Sequence, residues 1–214
     1  MITRSDTGLR WLDRAVPDLD KARTAFRHIA ADGHRAAAVI ESIRANFRKD
    51  ARVRAPLVPD NLIEEAIALL QEDLKNHRIL VQVKRSARLL QVMGDRIQLQ
   101  EVLLNLITNA IEGMATVDGP RVLAVSSDAR DDGGVMISIA DTGTGIDAQD
   151  VQQVFNPLFT TKPGGMGMGL SICRSIIEVH DGTLWVVPNV PRGSIFQFVL
   201  GGVATRRVGF DALP

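Results

Sequence analysis

The sequence predicts an α+β fold in two parts: a helical hairpin, then a larger domain in which helices alternate with strands. Two patterns predict it. A heptad stripe runs through the first fifty residues, and period-two alternation marks strands further along, between stretches with helical spacing.

Between positions 20 and 49 there is no proline and one glycine. Apolar or small residues fall there at Ala22, Phe26, Ile29, Gly33, Ala36, Ile40, Ile43 and Phe47. The steps alternate between four and three, the seam of a helical bundle. Residues 2–15 also read as a helix, so a turn around Pro17 and Asp18 makes an antiparallel hairpin. Its arms are unequal, about thirty residues against about fourteen on this periodicity. The stripe from Ala36 to Phe47 therefore outruns its partner. It has to pair in a dimer, dock on the second domain, or have lost a partner; the plainer alternative is a surface helix on its own domain.

Positions 52–59 read as a linker leading into a strand, with Pro56 and Pro59 as breakers. An amphipathic helix at 61–76 carries Leu62, Ile63, Ala66, Leu69, Leu70 and Leu74. Strands follow at 79–83 and 89–93. Gly94 and Asp95 open a helix over 96–114, with Asp95 as its N-cap. Strands at 122–126 and 135–140 alternate about a turn at 131–134. A glycine-bearing loop leads to a helix at 169–180, and strands at 183–187 and 194–200 close the domain.

Composition excludes several classes. Lys+Arg and Asp+Glu balance at 25 each, and there are seven Phe, two Trp and no Tyr. Neither a basic surface nor a stacking platform for nucleic acid is expected. The single cysteine, Cys173, forms no internal disulfide, which fits a reducing compartment. No apolar run reaches the roughly 18 residues of a membrane span, and MITRSDTGLRW lacks the apolar stretch of a secretion signal. A cytoplasmic protein is expected.

Three elements carry chemistry. In QLQEVLLNLITNAIEGM, Glu101, Asn105 and Asn109 stand four residues apart and project from one side of the helix, beside an apolar face of Leu99, Leu103, Leu106, Ile107 and Ala110. An amide oxygen is a hard ligand suited to Mg²⁺, which shares its sphere with substrate phosphates. A carboxylate on the same side can orient or deprotonate an attacking group. In DTGTGID, Asp141 ends a strand, and Gly143 and Gly145 let backbone approach a flat ligand. Such a carboxylate accepts a hydrogen bond from an exocyclic amine like that of adenine. In FTTKPGGMGMGLSICRSIIEVH, Gly164, Gly165, Gly167 and Gly169 precede a helix whose N-terminal amides and dipole suit a phosphate. Thr161 and Lys162 add a hydroxyl and a charge. A Walker P-loop is absent, since no G-x-x-x-x-G-K-[ST] occurs.

In this order, the three elements resemble the ATP-binding domain of sensor histidine kinases, a fold shared with type II topoisomerases and mismatch-repair ATPases. The likeness runs over about 53–200 and includes GDRIQLQEVLLNLITNAIEGM, DTGTGI, VFNPLFTTK and GGMGMGLSICRSIIEVHDG. It implies a two-layer α/β sandwich, a mixed sheet with helices on one face, and domain bounds of 1–52 for the hairpin, 53–203 for the ATP-binding domain and 204–214 for a tail. ATP and Mg²⁺ are the implied ligands. Asn109 corresponds to the principal Mg²⁺ ligand and Asn105 to its phosphate-proximal partner, with Glu101 the candidate catalytic carboxylate. Asp141 corresponds to the adenine-amine acceptor, and Gly143, Gly145 and Ile146 belong to its pocket. Thr161, Lys162, Gly165, Gly167, Met168 and Gly169 belong to the lid that meets the phosphates, with Leu170 beneath it. Two positions depart from the usual pattern. Ser194 follows Gly193 where a threonine is often seen, and Glu112 stands where many members carry a basic residue. The NAIEGM ending is similar to the nitrogen- and dicarboxylate-sensing subclass.

The resemblance also implies a phosphoacceptor histidine followed by glutamate. None of His28, His34, His77 and His180 is followed by Glu. Residues 8–49 are similar to the end of that subclass's dimerisation hairpin, just after the acceptor. The expectation is a homodimer through the N-terminal helices, an acceptor histidine missing from the chain, no stable self-phosphorylation, and a separate response regulator. The alternative is a nucleotide-sensing dimeric scaffold without kinase chemistry.

Overall fold

The computed structural model describes residues 11–12, 18–22, 24, 26, 54–86, 91–162 and 167–202. The chain divides into two compact units, Met1–Lys49 and Asp50–Pro214.

In the first unit, residues 11–12 and 19–22 are helical. Asp18 starts the second run. Its Oδ1 accepts the Lys21 N–H at 3.1 Å, and its carbonyl accepts the Ala22 N–H at 3.0 Å. A helix thus begins where the hairpin reading places one. Lys21 pairs with the Asp18 carboxylate at 2.9 Å and lies over the Trp11 ring. Ala22, the first seam position, is buried, whereas Phe26, the next, is half exposed. The rest of the seam, with His28 and His34, lies outside the described residues.

The second unit is a mixed sheet under a layer of helices. The elements are β1 (Ala55–Leu57), α1 (Pro59–Leu69), α2 (Gln71–Asn76), β2 (Leu80–Lys84), β3 (Val92–Gly94), α3 (Arg96–Ala115), β4 (Val122–Ala129), β5 (Val135–Asp141), α4 (Gly169–Val179), β6 (Thr183–Pro188) and β7 (Ser194–Leu200). The main sheet has the order β2-β4-β5-β7-β6. Only β2 and β4 run parallel; the other neighbours are antiparallel. β1 and β3 form a separate antiparallel pair, with Ala55 opposite Gly94.

Alternation fixes which face of the sheet is covered. In β5, Val135, Ile137, Ile139 and Asp141 are buried and the residues between them are half-buried; β7 repeats this pattern. A residue's neighbours along a strand point to the other face, so one side packs on the helices. On the opposite side a polar ladder runs across three strands: the Trp185 indole N–H donates to Gln197 Oε1, and Gln197 Nε2 donates to Ser138 Oγ.

Helix α3 is the centre of the helical layer. Leu99, Val102, Leu103, Leu106, Ile107, Ala110, Ile111 and Met114 are buried along it. Burying a large aliphatic side chain is worth about 1.5–3 kcal/mol, so packing holds this helix, not the propensity of its branched residues. Asp95 caps it as expected, its Oδ1 accepting the Ile97 and Gln98 N–H groups. The Arg121 guanidinium serves two helix ends, donating to the His77 carbonyl after α2 and to the Ala115 and Val117 carbonyls at the end of α3. Cations are favoured there because the last carbonyls of a helix lack intrahelical donors. His180 joins the far ends of α3 and α4. The Asp95 N–H donates to its Nε2 at 3.0 Å, which makes Nδ1 the protonated nitrogen, 2.8 Å from the Ile176 carbonyl oxygen.

Several boundaries differ from the sequence reading. The helix expected at 61–76 starts at Pro59, where a first-turn proline sacrifices no hydrogen bond. It bends at Leu70, whose ψ of 11° leaves the helical range, and this divides α1 from α2. The hydrogen bonds continue through the bend, Leu74 N–H reaching the Leu70 carbonyl. The strand expected at 79–83 begins one residue later. Arg78 turns left-handed, and the Ile79 N–H returns to the Leu74 carbonyl to close α2. Pro56 lies inside β1, tolerated because this strand has a neighbour on one side only. No helix of the described residues is long and apolar enough to cross a membrane.

Candidate nucleotide site

Three segments meet successive turns of α3, and this makes the site. Asn105, Asn109 and Gly113 stand four residues apart, one turn each. Gly169, the first residue of α4, lies against Asn105: a Cβ there would stand 3.4 Å from Asn105 Oδ1. Lys162 reaches Asn109, with Nζ 3.1 Å from Oδ1. The loop after β5 rests on Gly113, whose carbonyl accepts the Thr144 N–H at 3.1 Å.

Asp141 is buried at the end of β5, and its two oxygens are treated differently. Oδ1 accepts the Gly143 N–H at 2.7 Å and the Ser194 N–H at 3.3 Å. Among the described residues no hydrogen bond reaches Oδ2. Burial pushes the carboxyl above its usual range, while the two amides and the Lys162 charge pull the other way. The surrounding backbone is locked. Asn189 Nδ2 donates to the Asp141 carbonyl at 2.7 Å, and Thr142 Oγ1 accepts the Val122 N–H and donates to the Pro120 carbonyl. Gly143 is a close-approach position: a Cβ would stand 2.7 Å from the Gly113 backbone and 2.8 Å from Asp141 Oδ1. Gly145 packs against Gly193, and Ile146 packs on the core.

The segment before α4 is anchored from below. Phe155 is buried edge-on to Phe196, with the Arg174 guanidinium over the Phe155 ring, 4.4 Å from its centroid. Gly167 comes against the backbone of Leu158 and Phe159. Met168 is the buried N-cap of α4 and gives no side-chain acceptor to the first-turn amides, although its carbonyl receives the Ser171 hydroxyl and the Ile172 N–H. A helix N-terminus in this state suits an anionic group. Leu170 packs on the core beneath.

The sequence-derived residues therefore fall into distinct places. Asn105, Asn109, Asp141, Gly143, Gly145, Ile146, Lys162, Gly167, Met168, Gly169 and Leu170 surround the region just described. Thr161 is exposed beside Lys162, and Gly165 lies outside the described residues. Glu101 is exposed two turns from Asn109, about 12 Å along the axis, and its charge acts on the buried Cys173 thiol. Gly113, Asn189 and Gly193 were not singled out as site residues. The positive φ of Gly193, +107°, serves the close approach of the β6–β7 turn to the Asp141 carbonyl. The G-S pair before the last strand was the available signal. Asn189 and Gly113 gave none, because their partners are 48 and about 30 residues away.

Similarity to known proteins identifies the family. Residues 94–202 match the family described as histidine kinase-, DNA gyrase B-, and HSP90-like ATPase, and the chain belongs to that family. The sensor histidine kinase TmoS of Ectopseudomonas mendocina is 33% identical over 93% of this chain and 21% of its own length. The C4-dicarboxylate transport sensor protein DctS of Rhodobacter capsulatus is 36% identical over 90% of this chain and 29% of its own. The chain thus spans less than a third of either relative. The nucleotide-free catalytic domain of the histidine kinase ThkA superposes with a TM-score of 0.62 at 31% identity, covering 69% of this chain and 95% of that one. The domain is the ATPase catalytic domain of the sensor histidine kinase kind.

Proposed function

We propose that this chain binds Mg²⁺-ATP and presents its γ-phosphoryl group to a histidine that the chain itself does not supply. The observation that carries the reading is the divided Asp141 carboxylate. Its Oδ1 is held by two backbone amides, which leaves Oδ2 as an acceptor for the adenine amine. Asn109 would hold the metal by its amide oxygen, a choice supported by the Lys162 ammonium that sits there as a stand-in cation. Mg²⁺ held there would offset phosphate charge during transfer. The N-terminal amides of α4 and the Lys162 side chain bind the phosphates, and Asn105 orients the start of α4 beside them.

The attacking imidazole is positioned by the protein; little covalent chemistry falls to this domain. Glu101 stands two turns from Asn109, and its charge reaches the buried Cys173 thiol of α4. His77 and His180 are poor acceptors in this reading: each has Nδ1 at a backbone carbonyl, and His180 is buried with both nitrogens bonded. The N-terminal helices form a homodimer, the phosphoryl group passes to a separate response regulator, and the site works in the cytoplasm.

Incubation with γ-labelled Mg²⁺-ATP and a separately made dimerisation segment carrying an acceptor histidine tests the reading. Acid-labile label on the added segment, with none on this chain alone, is the expected outcome. ADP binding without any transfer leaves the nucleotide-sensing scaffold instead.

A further inference from the structure

One ammonium touches two oxygens of α3. Lys162 Nζ stands 3.1 Å from Asn109 Oδ1 and 2.5 Å from Glu112 Oε2. Glu112 lies in the last turn of α3, which carries no basic residue. The carbonyls at that end already gather negative charge, so a carboxylate there is unfavourable unless a cation offsets it. The ion pair is 42% and 52% exposed and adds little to stability. Its consequence is positional: a cation is seated beside Asn109, and a flexible side chain from another segment holds the seat.

We propose that Asn109 and Glu112 form the two sides of one divalent-cation seat, and that Lys162 is a tethered cation which Mg²⁺ displaces. This rests on the nucleotide-binding reading above. Mg²⁺ keeps several waters and shares its sphere with phosphates. Asn109 supplies an inner ligand, and Glu112 accepts hydrogen bonds from a coordinated water and so fixes the orientation of the sphere. Lys162, released from both oxygens, turns to the nucleotide phosphates. The lysine lies just ahead of the glycine-rich run that leads into α4. Positive charge beside this carboxylate then comes from the metal and from Lys162.

The test is Mn²⁺ binding to the whole chain, read as loss of the free-ion paramagnetic resonance signal, with the melting temperature followed as a folding control. At saturating ADP, Glu112→Gln is expected to weaken Mn²⁺ binding by about tenfold or more, the scale of an outer-sphere ligand. Without nucleotide, Lys162→Met is expected to bind Mn²⁺ more tightly than wild type, because the competing cation is gone. If Glu112→Gln holds Mn²⁺ as wild type does, or Lys162→Met gains nothing, the proposal is overturned. A wild-type chain that binds no ADP would bring down the nucleotide reading as well. ADP binding with a silent Glu112→Gln removes this proposal alone.

Discussion

Gly193 meets Asp141 backbone to backbone: a Cβ on Gly193 would be driven into the Asp141 carbonyl oxygen, and Gly193 holds a φ of +107°. The β6–β7 turn is thereby fastened to the residue at the floor of the site. The next amide, that of Ser194, supplies one of the two hydrogen bonds to Asp141 Oδ1.

Gly193→Ala has to strain its backbone and displace that carbonyl. A loss of at least about 1–3 kcal/mol is expected, the usual cost of a non-glycine residue in such a conformation, together with weaker ADP binding. Gly113→Ala is the contrast. Its Cβ meets nothing within 4 Å, so the gain in helix propensity, up to about 1 kcal/mol, is expected to raise stability. Urea denaturation of both variants checks the pair.

Asp141→Asn changes what faces the base without changing what holds the side chain. The amide oxygen replaces Oδ1 as acceptor for Gly143 and Ser194, which leaves the Nδ2 donors where Oδ2 was. A donor then meets the adenine amine. ADP affinity is expected to fall at least about a hundredfold, as for other sites left with mismatched polar groups, while a 6-oxopurine diphosphate loses far less. Calorimetric titration with ADP and IDP distinguishes this from general damage.

The same carboxylate sets a pH dependence. Burial raises its pKa in the fold. The protonated form is thus the one the fold favours: its stabilising contribution is complete below the unfolded pKa and is lost as pH rises through the folded one. At neutral pH the charged Asp141 weighs against folding, so Asp141→Asn is expected to melt no lower than wild type. ADP binding needs the charged acceptor. It is expected to weaken on acidification at a higher pH than an ordinary carboxylate would set, and titrations down a pH series check this.

His180 ends α4 and reaches the start of α3 through Nε2, while Nδ1 stays on the Ile176 carbonyl of its own helix. Replacing it with Ala leaves the Asp95 N–H without its acceptor and opens space beside Gly94, whose hydrogen side lies near the ring. A loss of about 2–4 kcal/mol is expected from the unmade hydrogen bonds and the void together. Denaturant unfolding gives the number.

Sequence made visible what local periodicity encodes. Alternation identified the inward residues of β5, the Asp95 cap was readable ahead of the two amides that donate to it, and the order of the glycine runs pointed to Asp141 and α4. Contacts across long separations left no trace. Arg121 clamping His77, Lys162 on Glu112 and Asn189 on Asp141 each join residues more than forty positions apart, and no spacing rule reaches that far. The bend at Leu70 was hidden for another reason: the apolar positions on both sides of it keep helical spacing, and its hydrogen bonds continue.

The central claim is that Asp141 and Asn109 serve one nucleotide. Calorimetric titration of ADP into the whole chain, with and without Mg²⁺, beside Asn109→Ala, tests it most directly. The expected result is ADP binding that Mg²⁺ strengthens in wild type, and binding that persists but ignores Mg²⁺ in Asn109→Ala. No binding of ADP to wild type, or full Mg²⁺ dependence in Asn109→Ala, would contradict it.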